Sequence, residues 1–284
     1  FRTVGYGGDA GSIEDIAVAS LVVLVGTNTA ECHPVIASRI KAAHKLRGQG
    51  LIVVDPRRHE MAARADLHLR LEPGTDLVWA CAVARYIFEQ GLEDRAFLER
   101  RVENLEAYRA SLAPFSLEFA ARVTGLDPAQ IAQSAEAIAR AESVCLLWAM
   151  GVTQHSHGAD TSTALSNLLL VTGNYGRRGT GGYPMRGHNN VQGASDFGCL
   201  KDVYPGYEKV TDPAARERWA KAWGVPPERL SAEAGLDNYA MVAAAGEGRV
   251  KAMYVIGEET ALSDADSRQV ERAFAGLEFM VVQD

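Results

Sequence analysis

The chain has 284 residues, 47% of them apolar and 23% charged, with 29 basic against 36 acidic side chains and a formal net charge of −7. These proportions exclude a wholly disordered chain. The acidic balance excludes a general nucleic-acid or membrane-surface binder, because no cationic excess is left to neutralise phosphates, although a local anion site stays compatible with it. The length is generous for one core and comfortable for two α/β lobes.

The first predicted element is "SLVVLVG" at residues 20–26, an almost unbroken β-branched run ending in glycine, as a parallel strand buried on both faces requires. "HPVIASRIKAAHKLRG" follows as a helix, with Val35, Ile36, Ile40, Ala43 and Leu46 at helical spacing and Gly48 as its stop. "GLIVVDP" closes a βαβ unit, and "ADLHLRLEP" reads as a short third strand. Thr75 is the expected N-cap and Gly91 the stop of a helix over "TDLVWACAVARYIFEQG". Residues 94–141 are helical in pattern, with a break at "TGLDP". "SVCLLWAMG" returns as a strand, and "TSTALSNLLLVTGNYG" is a further helix. From about 178 to 210 the chain is rich in Gly, Asn and Tyr and reads as one long loop. The remainder repeats the strand-and-helix grammar: helices over "AARERWAKAW", "LDNYAMVAAAGEG" and "SRQVERAFAGL", strands over "VKAMYVIG" and "FMVVQD". The expectation is an α/β fold of two lobes with mostly parallel sheets flanked by helices, divided as residues 1–188 and 189–284, the second lobe incomplete. No apolar run reaches membrane-spanning length. The chain begins with Phe1 rather than methionine and stops on "VVQD", so it reads as a piece of something longer. The four cysteines (Cys32, Cys81, Cys145, Cys199) have no cluster spacing and read as buried free thiols in a reducing compartment.

In an open parallel sheet ligands sit at the carboxyl ends of the strands. Here those ends read "GTNTAECHP", "DPRR", "EPGTD", "AMGVTQHSHG", "GEET" and "QD", all small, hydroxyl, amide or acidic. The nicotinamide fingerprint GxGxxG is absent, since "VGTNTAE" has one glycine. Asp55, ending the second strand of a βαβ unit, stands where the ribose or base of a nucleotide is held, whereas His155 and His157 read as surface residues. Taken together, the polar ends fit a large cofactor with diphosphate groups. "PMRGHNNVQG" at residues 184–193 adds a planar cationic fork in Arg186, suited to a bidentate carboxylate. It also adds a titratable ring in His188, with Gly187 between them and amides from Asn189, Asn190 and Gln192.

"GTNTAECHPVIASRIKAA", "LIVVDPRRHEMAARADLHLRLEPGTD", "LLWAMGVTQHSHG", "LLLVTGNYGRRGTGGYPMRGHNNVQGASDFG" and "YVIGEETALSDAD…VVQD", in that order, resemble the catalytic subunit of molybdopterin-dependent formate dehydrogenases over essentially the whole chain. The resemblance implies a molybdenum or tungsten ion held by two molybdopterin guanine dinucleotides, one in each lobe. It implies that Thr27, Asn28, Asp55, Arg57, Gly74 and Asp76 contact one dinucleotide, that Met150, Gly151 and Gln154 pass near the pterin, and that Gly257, Glu258, Gln283 and Asp284 contact the other. Arg186 matches the arginine that holds formate, and His188 stands where some relatives have glutamine. The family's cysteine or selenocysteine metal ligand, its [4Fe–4S] cluster domain and its C-terminal domain find no counterpart in this chain, which therefore resembles the central part of a larger subunit and supplies no metal ligand. The activity implied is oxidation of formate to carbon dioxide, with electrons leaving through iron–sulfur or flavin partner subunits to NAD in the cytoplasm, and with no membrane span or nucleic-acid partner. The cut fragment alone is expected to have little or no activity. Two other readings stay open: another molybdopterin enzyme such as a nitrate or oxyanion reductase, and a scaffold relative that has lost the cofactor.

Overall fold

The β-branched runs form the middle of a parallel sheet in a computed structural model that describes Val4 and residues 10–284. Strands β1 (Leu21–Val25), β2 (Gly50–Val54), β3 (Leu67–Leu69), β4 (Val144–Trp148) and β5 (Gly181–Pro184) are ordered β3-β2-β1-β4-β5, every neighbouring pair parallel. All five residues of β1 are buried, which is why its sequence shows no polar alternation. Its side chains divide between two cores. Leu21, Val23 and Val25 face one containing Trp79, Ile131, Ile138, Leu165 and Leu168, drawn from the helices Asp76–Glu89, Pro128–Arg140 and Gly158–Val171. Val22 and Leu24 face the other, with Ala37 and Ile40 of the helix Pro34–Arg47, Met61 and Tyr183. From β1 the chain runs outward through β2 and β3, then returns on the opposite side as β4. The order therefore reverses between β1 and β4, the point where open α/β sheets form a crevice.

The compact unit holding this sheet ends at Asn189, and Asn190–Asp284 forms a second. In the second unit β6 (Ala252–Ile256) and β7 (Phe279–Gln283) make a two-stranded parallel sheet. Helices Asn238–Gly246 and Ser267–Ala275 supply a small core of Val242, Ala245, Val270 and Ala273. A separate aromatic group, Tyr204, Trp219 and Trp223, packs with ring centroids 5.3–6.2 Å apart. Among the described residues no helix is long and apolar enough to cross a membrane.

Several sequence expectations need correction. The Pro34–Arg47 helix buries Ala37, Ile40 and Ala43, while Val35 is 69% and Leu46 77% exposed. The stripe that packs is one of mostly small residues, so apolar spacing alone drew it too wide. Thr75 stands at the N-cap position without capping, because its Oγ1 donates to the Glu72 carbonyl at 2.6 Å. The loop expected over 178–210 contains β5, a helix at Val191–Asp196 and a 3-10 turn at Pro205–Tyr207. β5 reads "GGYP", poor in strand formers. It joins the sheet because Tyr183 is buried in the second core and because Gly182 lies under the Trp148 ring, where a Cβ would come within 3.1 Å. Of the four cysteines only Cys81 and Cys145 are buried; Cys32 and Cys199 are exposed.

Candidate functional site

A cleft of about 390 Å³ opens over the switch point and takes residues from beyond all five strands of the first unit. β1 contributes Gly26, Thr27 and Asn28, and Cys32 and His33 further on. β2 gives Asp55–Arg57, and Pro73, Gly74 and Asp76 follow β3. Met150, Gly151 and His155 come from after β4, Met185 and Gly187 from after β5. The floor is set by two glycines. The Gly151 amide donates to the Gly26 carbonyl at 3.1 Å, and a Cβ on Gly151 would lie 2.6 Å from that oxygen. Only two chains without side chains can cross so closely.

Polar atoms without partners crowd the β1 side of the cleft. Thr27, Asn28 and Thr29 are 3%, 8% and 0% exposed. Thr27 Oγ1, Asn28 Oδ1 and Nδ2, Thr29 Oγ1 and His33 Nδ1 are all buried without a hydrogen-bond partner among the described residues. Leaving such groups unsatisfied costs roughly 1–3 kcal/mol each, so five such atoms beside one strand end mark a candidate ligand site.

Two carboxylates flank these atoms, and their surroundings push them in opposite directions. Burial by itself would raise the Asp55 carboxyl. The His59 ring 3.6 Å from Oδ2, the Arg57 amide donating to Oδ1 at 2.8 Å and the Arg57 charge outweigh it, and the pKa falls below the usual aspartate range. Its carbonyl also accepts from His68 Nε2 at 2.9 Å, which fixes the loop. Asp76 opens a helix and is equally buried, and there desolvation prevails: with the Asp55 charge adding to it, the pKa is raised despite the helix amide and His155. One edge of the cleft thus carries a carboxyl whose ionised form is favoured and the other a carboxyl whose ionised form is disfavoured.

The residues singled out from sequence are distributed as follows. Thr27, Asn28, Asp55, Arg57, Gly74, Asp76, Met150 and Gly151 all line the cleft, whereas Gln154 is exposed and does not. Arg186 and His188 are exposed and outside the lining set, although their neighbours Met185 and Gly187 belong to it. The Arg186 carbonyl is held at the cleft edge by His33 Nε2, 2.6 Å away. Asn190 and Gln192 are spent on their own unit: Asn190 Oδ1 accepts from the Gly193 amide at 3.2 Å, and Gln192 Nε2 donates to Asp196 and Tyr207. Gly257, Glu258, Gln283 and Asp284 gather at the carboxyl ends of β6 and β7, with the Gly257 amide donating to the Gln283 carbonyl at 2.9 Å. Sequence reasoning missed Thr29, His33, His59 and His155. His59 could have been found at four residues from Asp55, and His33 from its place before Pro34. His155, assigned to the surface, is exposed yet lines the cleft beside Gly74. Among the described residues no group of three or more His, Cys, Asp or Glu side chains is placed to hold a metal ion.

The family described as molybdopterin oxidoreductase matches residues 7–284. The whole chain is 56% identical to "Probable oxidoreductase YjgC" of Bacillus subtilis (strain 168), of which it covers 28%. It is 52% identical to "Putative formate dehydrogenase YrhE" of the same organism and 52% identical to a protein of the same description from Staphylococcus haemolyticus, covering 29% of each. The chain therefore spans under a third of the length of these relatives. In fold it is similar to acetylene hydratase from Pelobacter acetylenicus, with a TM-score of 0.73 at 22% identity over 99% of this chain and 40% of that one.

Proposed function

Because the chain belongs to the molybdopterin oxidoreductase family, whose members use a molybdenum or tungsten pterin cofactor, we propose that it is the central part of a formate dehydrogenase catalytic subunit oxidising formate to carbon dioxide. The observation that carries the reading is the group of buried, unpartnered atoms on Thr27, Asn28, Thr29 and His33 at the switch point of a parallel sheet. Hydroxyl, amide and imidazole groups at one strand end suit a ligand rich in ring nitrogens, ribose hydroxyls and phosphate oxygens. Two relatives with formate dehydrogenase in their names support the choice of substrate.

Thr27, Asn28, Asp55, Arg57, Gly74 and Asp76 would hold one pterin guanine dinucleotide, with Met150, Gly151 and Gln154 on the β4 side. Gly257, Glu258, Gln283 and Asp284 would hold the second on the other unit. When bound, the metal–pterin group supplies an acceptor for the two electrons that formate loses. Asp55, with its ionised form favoured, would accept from ring N–H donors, and the Arg57 guanidinium would hold phosphate. The bare backbone at Gly26 and Gly151 lets a planar ring approach. Arg186 orients the formate carboxylate through paired, charge-assisted hydrogen bonds, and His188 takes or screens the proton. The metal ligand, the [4Fe–4S] cluster and the contacts with iron–sulfur or flavin subunits that pass electrons to NAD in the cytoplasm belong to the rest of the longer protein.

Full-length holoprotein tests this directly. Formate should reduce it, and nitrate should fail to reoxidise it. Arg186→Lys should lower kcat/KM for formate by about ten- to a hundredfold, as expected for losing a charged bidentate contact of roughly 1.5–3 kcal/mol. Unchanged formate turnover in that variant, or rapid reoxidation by nitrate, would overturn the reading.

A further inference from the structure

We infer that His33 is a positioning residue: it ties the Arg186 loop to the cofactor cleft through one ring nitrogen while offering the other to the bound group. The inference rests on the formate reading above and deepens it.

His33 stands between two helices, Thr29–Cys32 and Pro34–Arg47. Pro34 at the start of the second keeps the preceding residue out of helical geometry, and His33 accordingly has φ −138° and ψ 60°. From that break the ring reaches the segment just after β5, at Arg186, 153 residues later in the chain. There Nε2 lies 2.6 Å from the Arg186 carbonyl oxygen. A carbonyl can only accept, so Nε2 carries the proton and donates. In a neutral ring this leaves Nδ1 as a lone pair, and Nδ1 is buried with no partner among the described residues while His33 lines the cleft. One imidazole therefore has one nitrogen engaged with the loop and the other buried without a partner, in a residue that lines the cleft. Two other contacts support the loop: the Met185 amide donates to the Trp148 carbonyl at 2.7 Å, and Gly187 lines the cleft itself. Arg186 itself is exposed, and its carbonyl takes the His33 contact at the edge of the cleft. A group in the cleft that donates to Nδ1 polarises the ring, strengthens the Nε2 bond and fixes Arg186 where formate must lie. The cleft and the substrate arginine are thereby coupled through a side chain that touches both.

The test uses full-length holoprotein with three substitutions. Gln places an amide donor near the position of Nε2, Asn near that of Nδ1, and Leu neither. His33→Leu should raise KM for formate by about tenfold, the loss of one hydrogen bond, with a smaller change in kcat. It should also speed hydrogen exchange at the Met185–Gly187 amides. His33→Gln should restore both KM and exchange toward wild type, and His33→Asn should not. A merely structural histidine would not distinguish Gln from Asn, and equal behaviour of the two would overturn the inference. If Leu fails to fold, the Gln and Asn pair decides the matter alone. If Arg186→Lys impairs formate turnover while KM and exchange are unmoved in every His33 variant, the His33 inference fails and the formate reading stands. If Arg186→Lys has no effect, the formate reading fails, and amide exchange still reports whether His33 holds the loop.

Discussion

The two parallel sheets end in similar sequences, small and polar after each strand, yet their rims are physically different. In the first unit Thr27, Asn28, Asp55 and Asp76 are all under a tenth exposed, and β1 beneath them is wholly buried. In the second unit Gly257, Glu258, Gln283 and Asp284 are exposed, and β6 and β7 leave Tyr254, Ile256, Phe279 and Val282 at least 60% open. The polar side chains there satisfy one another: Ser263 Oγ donates to Glu258 at 3.1 Å and the Tyr254 hydroxyl to Gln283. The contrast teaches that a polar strand end is left buried and unpartnered only when surrounding layers take water away from it without providing partners. Five strands covered by helices on both faces achieve this within one unit; two strands do not.

The largest effect expected from this difference is at the crossing glycines. Gly151→Ala sets a Cβ against the Gly26 carbonyl and should destabilise the first unit by on the order of 3 kcal/mol. Gly257→Ala, with φ +58° and nothing within 4 Å of the new atom, should cost only about 1 kcal/mol for its left-handed backbone. Denaturant unfolding of both variants measures the gap, and equal losses would break the comparison.

Next comes removal of an unpartnered group. Asn28→Leu should leave the cofactor-free protein as stable as wild type or about 1 kcal/mol more stable, since a desolvated amide disappears, while pterin content of the full-length protein falls sharply. A loss of stability together with retained pterin would show that Asn28 serves the fold.

The two aspartates sharpen the comparison through pH. Asp55 has its pKa lowered, so its ionised form stabilises the fold above the ordinary aspartate value of 3.8, and that contribution is lost as pH falls through the depressed value. Asp76 has its pKa raised, so ionisation destabilises the fold, a penalty that sets in as pH rises through 3.8 and is complete above the raised value. At neutral pH, Asp55→Asn should therefore be less stable than wild type and Asp76→Asn more stable, both differences closing on acidification. Parallel melting curves across pH would check the opposed signs.

The smallest effect is in alkylation. Cys81 and Cys145, pushed up by burial to about 11 and about 12, should resist iodoacetamide, while Cys32 and Cys199 label. Bound cofactor should slow labelling at Cys32, which lines the cleft, and leave Cys199 unaffected.

What the amino-acid order determined alone was local: β1, β2 and β4 as unbroken apolar runs, the helix stops at Gly48 and Gly91, and the chemistry of the rim from Thr27 to Asp76. Such features are legible because burial, helical spacing and chain-end chemistry are written within a few neighbouring residues. β5 was not legible, since "GGYP" becomes a strand only when Trp148 and the second core receive it. Nor was the meeting of His33 with Arg186, or the stranding of Thr27, Asn28 and Thr29 without partners. These depend on which distant segments come together and on which atoms lose water when they do, and hydrogen bonding and desolvation across such separations are decided by the tertiary structure.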